Sequence, residues 1–469
     1  MGETVMFQFI MKAAVFLLLV ALLPAHAQTD DGYAEALRRI EEAAESGATT
    51  LDLSSLGLTS LPPEIVGLGN LNRLDLSYNS LSELPSKIGQ IGNLTALDVA
   101  YNNLTELSPE VGELTDLATL YLYDNQLTEL PPEIGELTNL RRLGLGGNQL
   151  AELPPEFGRL TNLTGLDLSD NQLVELTPEI GKLNNLGGLW LYNNPLTDLP
   201  TEIGQLSNLS ILDLQNNELT KLPSEVRQLN SLTWVNLYDN HLTALPPEIG
   251  DLINLTYLSL GENHLTELPA EIGELTYLLY LSLGGNQLTN LPPEIGQLTD
   301  LTELFLDSNQ LTNLPPEIGQ LNSLTSLYLG NNELTALPPE IGELTNLISL
   351  YLDDNQLTSL PLEIGQLTSL TRLNVSRNQF VEVPSAILPL TSVSEIILSG
   401  NQITELSPEI GKLISLRVLF LDDNQLTSLP PEIGGLVNLT ILNVAGNPLP
   451  PDYPTDTAEL LAYLREQGG

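Results

Sequence analysis

Cysteine is absent from all 469 residues. Its absence excludes disulfide stapling, Cys-ligated zinc, iron–sulfur clusters and thiol nucleophiles. Basic residues are scarce: 16 Lys and Arg stand against 60 Asp and Glu, a net charge of −44. A chain this acidic offers no basic face to phosphates, so nucleic acid is excluded as a partner. Aromatics make up only 5%, and there are three histidines. Nucleophile motifs, phosphate-binding Gly loops and H-E-x-x-H are all missing. The one long apolar run, residues 13–23, has 11 residues and is too short to span a bilayer. What the chain does have is apolar bulk. At 42% hydrophobic it can bury a large core, which argues against disorder.

The apolar run follows Lys12 and precedes Pro24 and Ala25-His26-Ala27, the pattern of a signal peptide with an A-x-A cleavage site. Cleavage near Ala27 would export the chain to the periplasm or the medium. Met11 is an alternative start. Residues 33–46 read as a helix, with Ala34, Leu37, Ile40 and Ala44 at helical spacing and Gly47 as its stop. Near the other end, Thr455 or Asp456 can cap a helix whose apolar stripe is Leu460, Leu461 and Leu464.

Between these ends asparagine recurs every 23 residues from Asn79 to Asn447, 17 times without a slip. One period earlier, Leu56 lies in a degenerate first repeat, giving 18 units. The unit reads LPPEIGQLTNLTSLYLGNNQLT with small variations. Its spine is L-x-x-L-x-L-x-x-N-x-L, as in Leu71, Leu74, Leu76, Asn79 and Leu81. The x-Leu-x-Leu-x segment alternates and suits a short strand with both leucines inward. The asparagine amide can bond the backbone of its own turn and the next. The Pro-Pro half cannot extend a central strand and must return on the opposite side as a short helix or turn. Each unit buries its leucines only against its neighbours, so the array needs caps.

This spine resembles the leucine-rich repeat family of the 23-residue type, over about residues 49–449. The resemblance implies an α/β solenoid, a leucine-rich repeat horseshoe with a parallel concave sheet and helical end caps. The expected division is a signal peptide at 1–27, a capping helix at 28–48, the array at 49–453 and a second cap at 454–469. The LPPEIG half is similar to intracellular scaffold members that bind Ras-like GTPases and to many bacterial repeat proteins. An export signal without cysteine favours a bacterial secreted or periplasmic member.

The strand positions free to face outward lie two, four and six residues before each asparagine. They hold 12 of the 20 aromatics beyond residue 27: Tyr121, Tyr123, Trp190, Tyr192, Trp234, Tyr238, Tyr257, Tyr280, Phe305, Tyr328, Tyr351 and Phe420. Aromatics favour strands in general, yet this enrichment also fits a binding surface anchored by Tyr and Trp. With the residue before the asparagine added, the same columns hold 16 acids, Asp307 and Asp353 among them, and four bases. The expected partner is therefore a protein or peptide, cationic or amphipathic. A glycan comes second, because aromatic rings also stack on sugars. A charge that serves only solubility is the plain alternative. No enzyme activity, cofactor or metal is expected, since an open sheet gives no enclosed pocket.

Three further features are local. Glutamate opens the Pro-Pro-Glu turn in 15 of 17 units, where it complements a helix N-terminus. His241 and His264 are one period apart and read as surface variants of a glutamine column. The unit at 380–400 loses its Pro-Pro-Glu and gains Phe380, Val381 and Ile387.

Overall fold

The structure, a computed structural model, describes residues 30–454 and 456–467. The expected signal segment at 1–27 and the capping role of Thr455 lie outside the described residues. The chain divides into two compact units, residues 1–163 and 164–469.

Unit one holds helix α1 (Asp30–Ser46) and five strands: β1 (Thr50–Asp52), β2 (Arg73–Asp75), β3 (Ala96–Asp98), β4 (Thr119–Tyr121) and β5 (Arg142–Gly144). Consecutive strands pair in parallel with a register shift of one repeat, so that Leu51, Leu74 and Leu97 stand side by side. Unit two repeats the pattern from β6 (Gly165–Asp167) to β18 (Ile441–Asn443) and ends in α2 (Thr457–Gln467). Each unit is a leucine-rich repeat solenoid with a parallel sheet on one side and short 3-10 helices on the other.

The inward leucines explain the stacking. Leu71, Leu74, Leu76 and Leu81 are fully buried, and the same positions are buried in coil after coil. At roughly 25 cal/mol per Å² of apolar surface, each coil gains its stability only when a neighbour covers it. The asparagines close the polar account at the sheet's end. Asn286 donates to the carbonyls of Leu283 and Leu260 at 2.9 Å each and accepts from the Leu265 N–H at 3.0 Å. The expected bond to the next turn thus runs the other way, to the preceding coil. The reason is the left turn just before each asparagine. Residues such as Asp239, Glu262 and Asp354 adopt positive φ there and aim the amide backward.

The opposite side is set by glycine. In most of the Pro-Glu-Ile-Gly turns, a Cβ on the glycine would meet the backbone carbonyl of the next coil's glutamate; at Gly296 the separation from Glu317 would be 2.5 Å, while Gly434 packs instead on Leu464 and Arg465 of the last helix. Only a glycine lets the 3-10 turns stack this closely. Arg227 breaks the column. A hollow of about 280 Å³ on this side is lined by Arg227, Glu248 and Glu271. In the divergent unit the turn shortens to Ser385–Ile387, and Phe380 fills a leucine position fully buried.

Helix α1 buries only part of the face expected of it: Ile40 is buried and Leu37 half-buried. Ala36, Ile40 and Ala43 are buried, whereas Ala34 and Ala44 are exposed. The cause is close approach: a Cβ on Gly32 would lie 2.1 Å from the Leu56 carbonyl, so the small-residue edge of the helix turns inward. At the other end Asp456 caps α2, accepting from the N–H groups of Ala458 and Glu459 at 2.9 and 3.1 Å. Leu460, Leu461 and Leu464 are buried as expected. The Thr457 hydroxyl donates to the Leu442 carbonyl at 3.1 Å on the last strand, where an exposed edge would otherwise invite pairing.

Candidate binding face

The outward side chains of β9 (Trp234–Asn236) to β14 (Ser349–Tyr351) carry the main aromatic feature of unit two. Six rings run in one file. Trp234 stacks on Tyr257 at 5.0 Å between centroids, and Tyr257 stacks on Tyr280 at 4.4 Å. The file then steps sideways. Tyr280 pairs in register with Glu303, while Phe305 occupies the neighbouring outward column. The Tyr280–Phe305 contact is therefore diagonal, at 5.1 Å and tilted by 43°. Beyond it Phe305, Tyr328 and Tyr351 stack at 4.4 and 4.7 Å. Parallel strands bring same-column rings within stacking distance, and offset stacking contributes beyond simple burial.

The other candidate residues fall around this ladder or apart from it. Tyr238, Asp307 and Asp353 occupy the column nearest the asparagines. Tyr238 leans over Gly261, Asp307 over Gly284 and Asp353 over Gly330; a Cβ on any of these glycines would come within 3.0 Å of the neighbouring side chain. Trp190, on β7 (Gly188–Trp190), lies back over Gly188, where a Cβ would meet the indole at 2.4 Å. Tyr192 is on the same coil. Tyr121 and Tyr123 belong to unit one, at 5.6 Å from each other, and the ring of Tyr123 covers Gly144. Glycine-bearing coils that look empty in the sequence thus serve as beds for neighbouring rings.

Sequence reasoning missed Tyr78 and Tyr101. These two stack at 4.3 Å in unit one, each about 40% exposed, from the left-handed position just before the asparagine. In the sequence that column stands out for its acids, and the two tyrosines in it are the signal that marks this pair.

Electrostatics on this face follow from burial. Asp213, on β8 (Ile211–Asp213), lies between Trp190 and Asn236 in register, and burial pushes its carboxyl up to about 6. Burial likewise raises Asp307 and Asp353 above the usual carboxylate range. Glu262 and Asp307 have no ion pair among the described residues. The basic side chains beyond the last ring are engaged: Arg377 with Asp354 at 3.1 Å and Arg372 with Glu395 at 3.7 Å. His241 and His264 stack at 5.5 Å on the exposed coil edge. Among the described residues no three His, Asp or Glu side chains are grouped to hold a metal ion, and no helix is long and apolar enough to cross a membrane.

Comparison with known proteins agrees with this architecture. Profiles described as a leucine-rich repeat region match residues 246–329 and 304–379, and those described as leucine rich repeat match 46–104, 92–150 and 391–449. No curated protein sequence matches the chain. Among solved structures, a leucine-rich repeat protein of Leptospira interrogans is 40% identical, with 91% of this chain and 97% of that one covered and a TM-score of 0.71. A plant peptide hormone receptor, RGFR1 in complex with RGF2, is 31% identical over 87% of this chain and 72% of that one, with a TM-score of 0.72. PEPR1 with AtPEP1 is 26% identical over 86% and 69%, with a TM-score of 0.64. The chain belongs to the leucine-rich repeat family. Its solenoid is a fold that commonly mediates protein–protein recognition.

Proposed function

We propose that this chain is a non-enzymatic recognition protein that binds a protein or peptide partner on the sheet face of unit two. The six-ring ladder from Trp234 to Tyr351 carries the reading. Such a row on an open surface is rich in the residues that anchor interfaces. It is supported by the likeness to RGFR1, a plant peptide hormone receptor of the same fold in complex with RGF2.

The ring geometry favours protein over glycan. Sugars stack on free ring faces, whereas these rings are closed face to face and present mainly their edges. Export of the chain, from a bacterial source, is part of this reading and is supported by the signal-like pattern of Lys12, the apolar run at 13–23 and Ala25-His26-Ala27. The rival function, a structural surface or matrix component, predicts self-association or wall retention that is indifferent to the rings.

Capture experiments with the mature chain as bait, at low and high salt, test the proposal. A Trp190→Ala/Trp234→Ala bait should lose the partners that wild type retains. Equal recovery by both baits would refute this choice of face.

A further inference from the structure

The ladder's dimensions and surroundings define its occupant more closely. Five centroid steps of 4.4 to 5.1 Å give it a run of about 24 Å. At roughly 3.3 Å per residue, an extended peptide covers that run with about seven residues. The rings offer edges, so they suit a backbone and aliphatic stems laid along them rather than a planar or sugar ring inserted between them.

Charge decides the side chains. Alongside the ladder, Asp307 and Asp353 are half-buried. They lie over Gly284 and Gly330, where each glycine's missing Cβ leaves room for a carboxylate. Glu262 reaches over Gly285 from the opposite direction, so it and Asp307 converge on two successive glycines. A shallow acidic trough therefore runs beside the aromatic file. The cations nearest its far end, Arg372 and Arg377, are paired with Glu395 and Asp354, and only the charge of Arg377 also reaches Asp353. Alternate side chains of an extended strand point the same way, about 6.6 Å apart. Lysines at every second position would lay their stems across the rings and set their ammonium groups in the trough.

We propose that the occupant of the ladder is an extended basic segment of about seven residues, with Lys or Arg at alternate positions facing the Asp307–Asp353 trough. This rests on the reading of the sheet face as a recognition surface and specifies what it recognises.

The probe is the heptapeptide acetyl-Lys-Thr-Lys-Thr-Lys-Thr-Lys-amide, with its Glu-for-Lys counterpart and cellohexaose as comparisons. Binding to the full chain is followed by tryptophan emission and calorimetry. The Lys peptide should bind at least tenfold tighter than the Glu peptide, and cellohexaose should not compete with it. The Asp307→Asn/Asp353→Asn variant should lose at least tenfold, while Glu294→Gln/Glu317→Gln, on the turn side, should stay within twofold of wild type. Equal losses in the two variants would show that net charge alone attracts the peptide and would overturn the proposal. So would tighter binding of the Glu peptide or competition by the sugar. A captured partner that requires Trp234 yet is displaced by the Glu peptide would overturn this occupant and leave the recognition face standing. A partner indifferent to Trp234 would remove the face itself.

Discussion

Replacing Asp213 by asparagine should stabilise this protein at neutral pH and do nothing at pH 3.5. Asp213 sits half-buried on the sheet face, accepts a hydrogen bond from the Gln215 N–H at 3.2 Å and has its carboxyl raised from 3.8 to about 6 by burial. In the unfolded chain the group titrates near its ordinary value. Below that value it is protonated in both states and costs nothing. Between about pH 4 and 6 the unfolded chain ionises first, so the native state loses ground as pH rises; above 6 the full cost is present. Two pKa units correspond to about 3 kcal/mol. Solvent reaching the exposed part of the carboxyl reduces this, and about 1–2 kcal/mol is expected. Asparagine keeps the acceptor for the Gln215 N–H and carries no charge. Trp190 and Trp234 lie on the coils on either side, so urea unfolding followed by tryptophan emission reads the affected region directly. Wild type and Asp213→Asn should coincide at pH 3.5 and separate progressively to pH 7. A pH-independent difference, or a variant less stable at pH 7, would refute the burial argument.

Other consequences are simpler. Asn286→Ala removes four hydrogen bonds, the weakest of them to the Gly284 carbonyl at 3.4 Å, and strands the Leu265 N–H, so local hydrogen-exchange protection should fall by roughly 3–4 kcal/mol; a loss below about 1 kcal/mol would mean water replaces the amide. Gly296→Ala drives a methyl against the Glu317 carbonyl and should cost about 1–3 kcal/mol in urea unfolding, whereas at Gly144 the obstacle is the movable Tyr123 ring and the cost should be smaller. The repeated turn-side glutamates repel one another, so raising salt from about 0.05 to 0.5 M should raise the thermal midpoint; a fall would show that attractive pairs dominate.

The 23-residue period was enough to place every strand, because inward leucines, with an occasional Val or Ile such as Val235 and Ile396, recur in every coil and an asparagine follows in every coil but the first. The bond direction of that asparagine was not legible, since it depends on the left-handed residue before it. The inward face of α1 was legible only at Ile40 and Leu37; the rest is set by the close approach of Gly32 to the Leu56 carbonyl. For the candidate site, outward columns located the aromatics, and stacking between coils followed from the register. The sideways step at Tyr280 and Phe305 is visible in sequence only once columns are compared coil by coil. Glycines such as Gly188 and Gly284 read as gaps in the sequence, yet in the fold they are the floor on which Trp190 and Asp307 rest.

The central claim is that the Trp234–Tyr351 ladder is where a partner binds. Its most direct test is the affinity of a captured partner for wild type and for Trp234→Ala/Tyr280→Ala, measured by calorimetry with folding checked by circular dichroism. Two aromatic anchors at about 2 kcal/mol each predict a loss near a thousandfold. A loss under threefold in a folded variant would contradict the account.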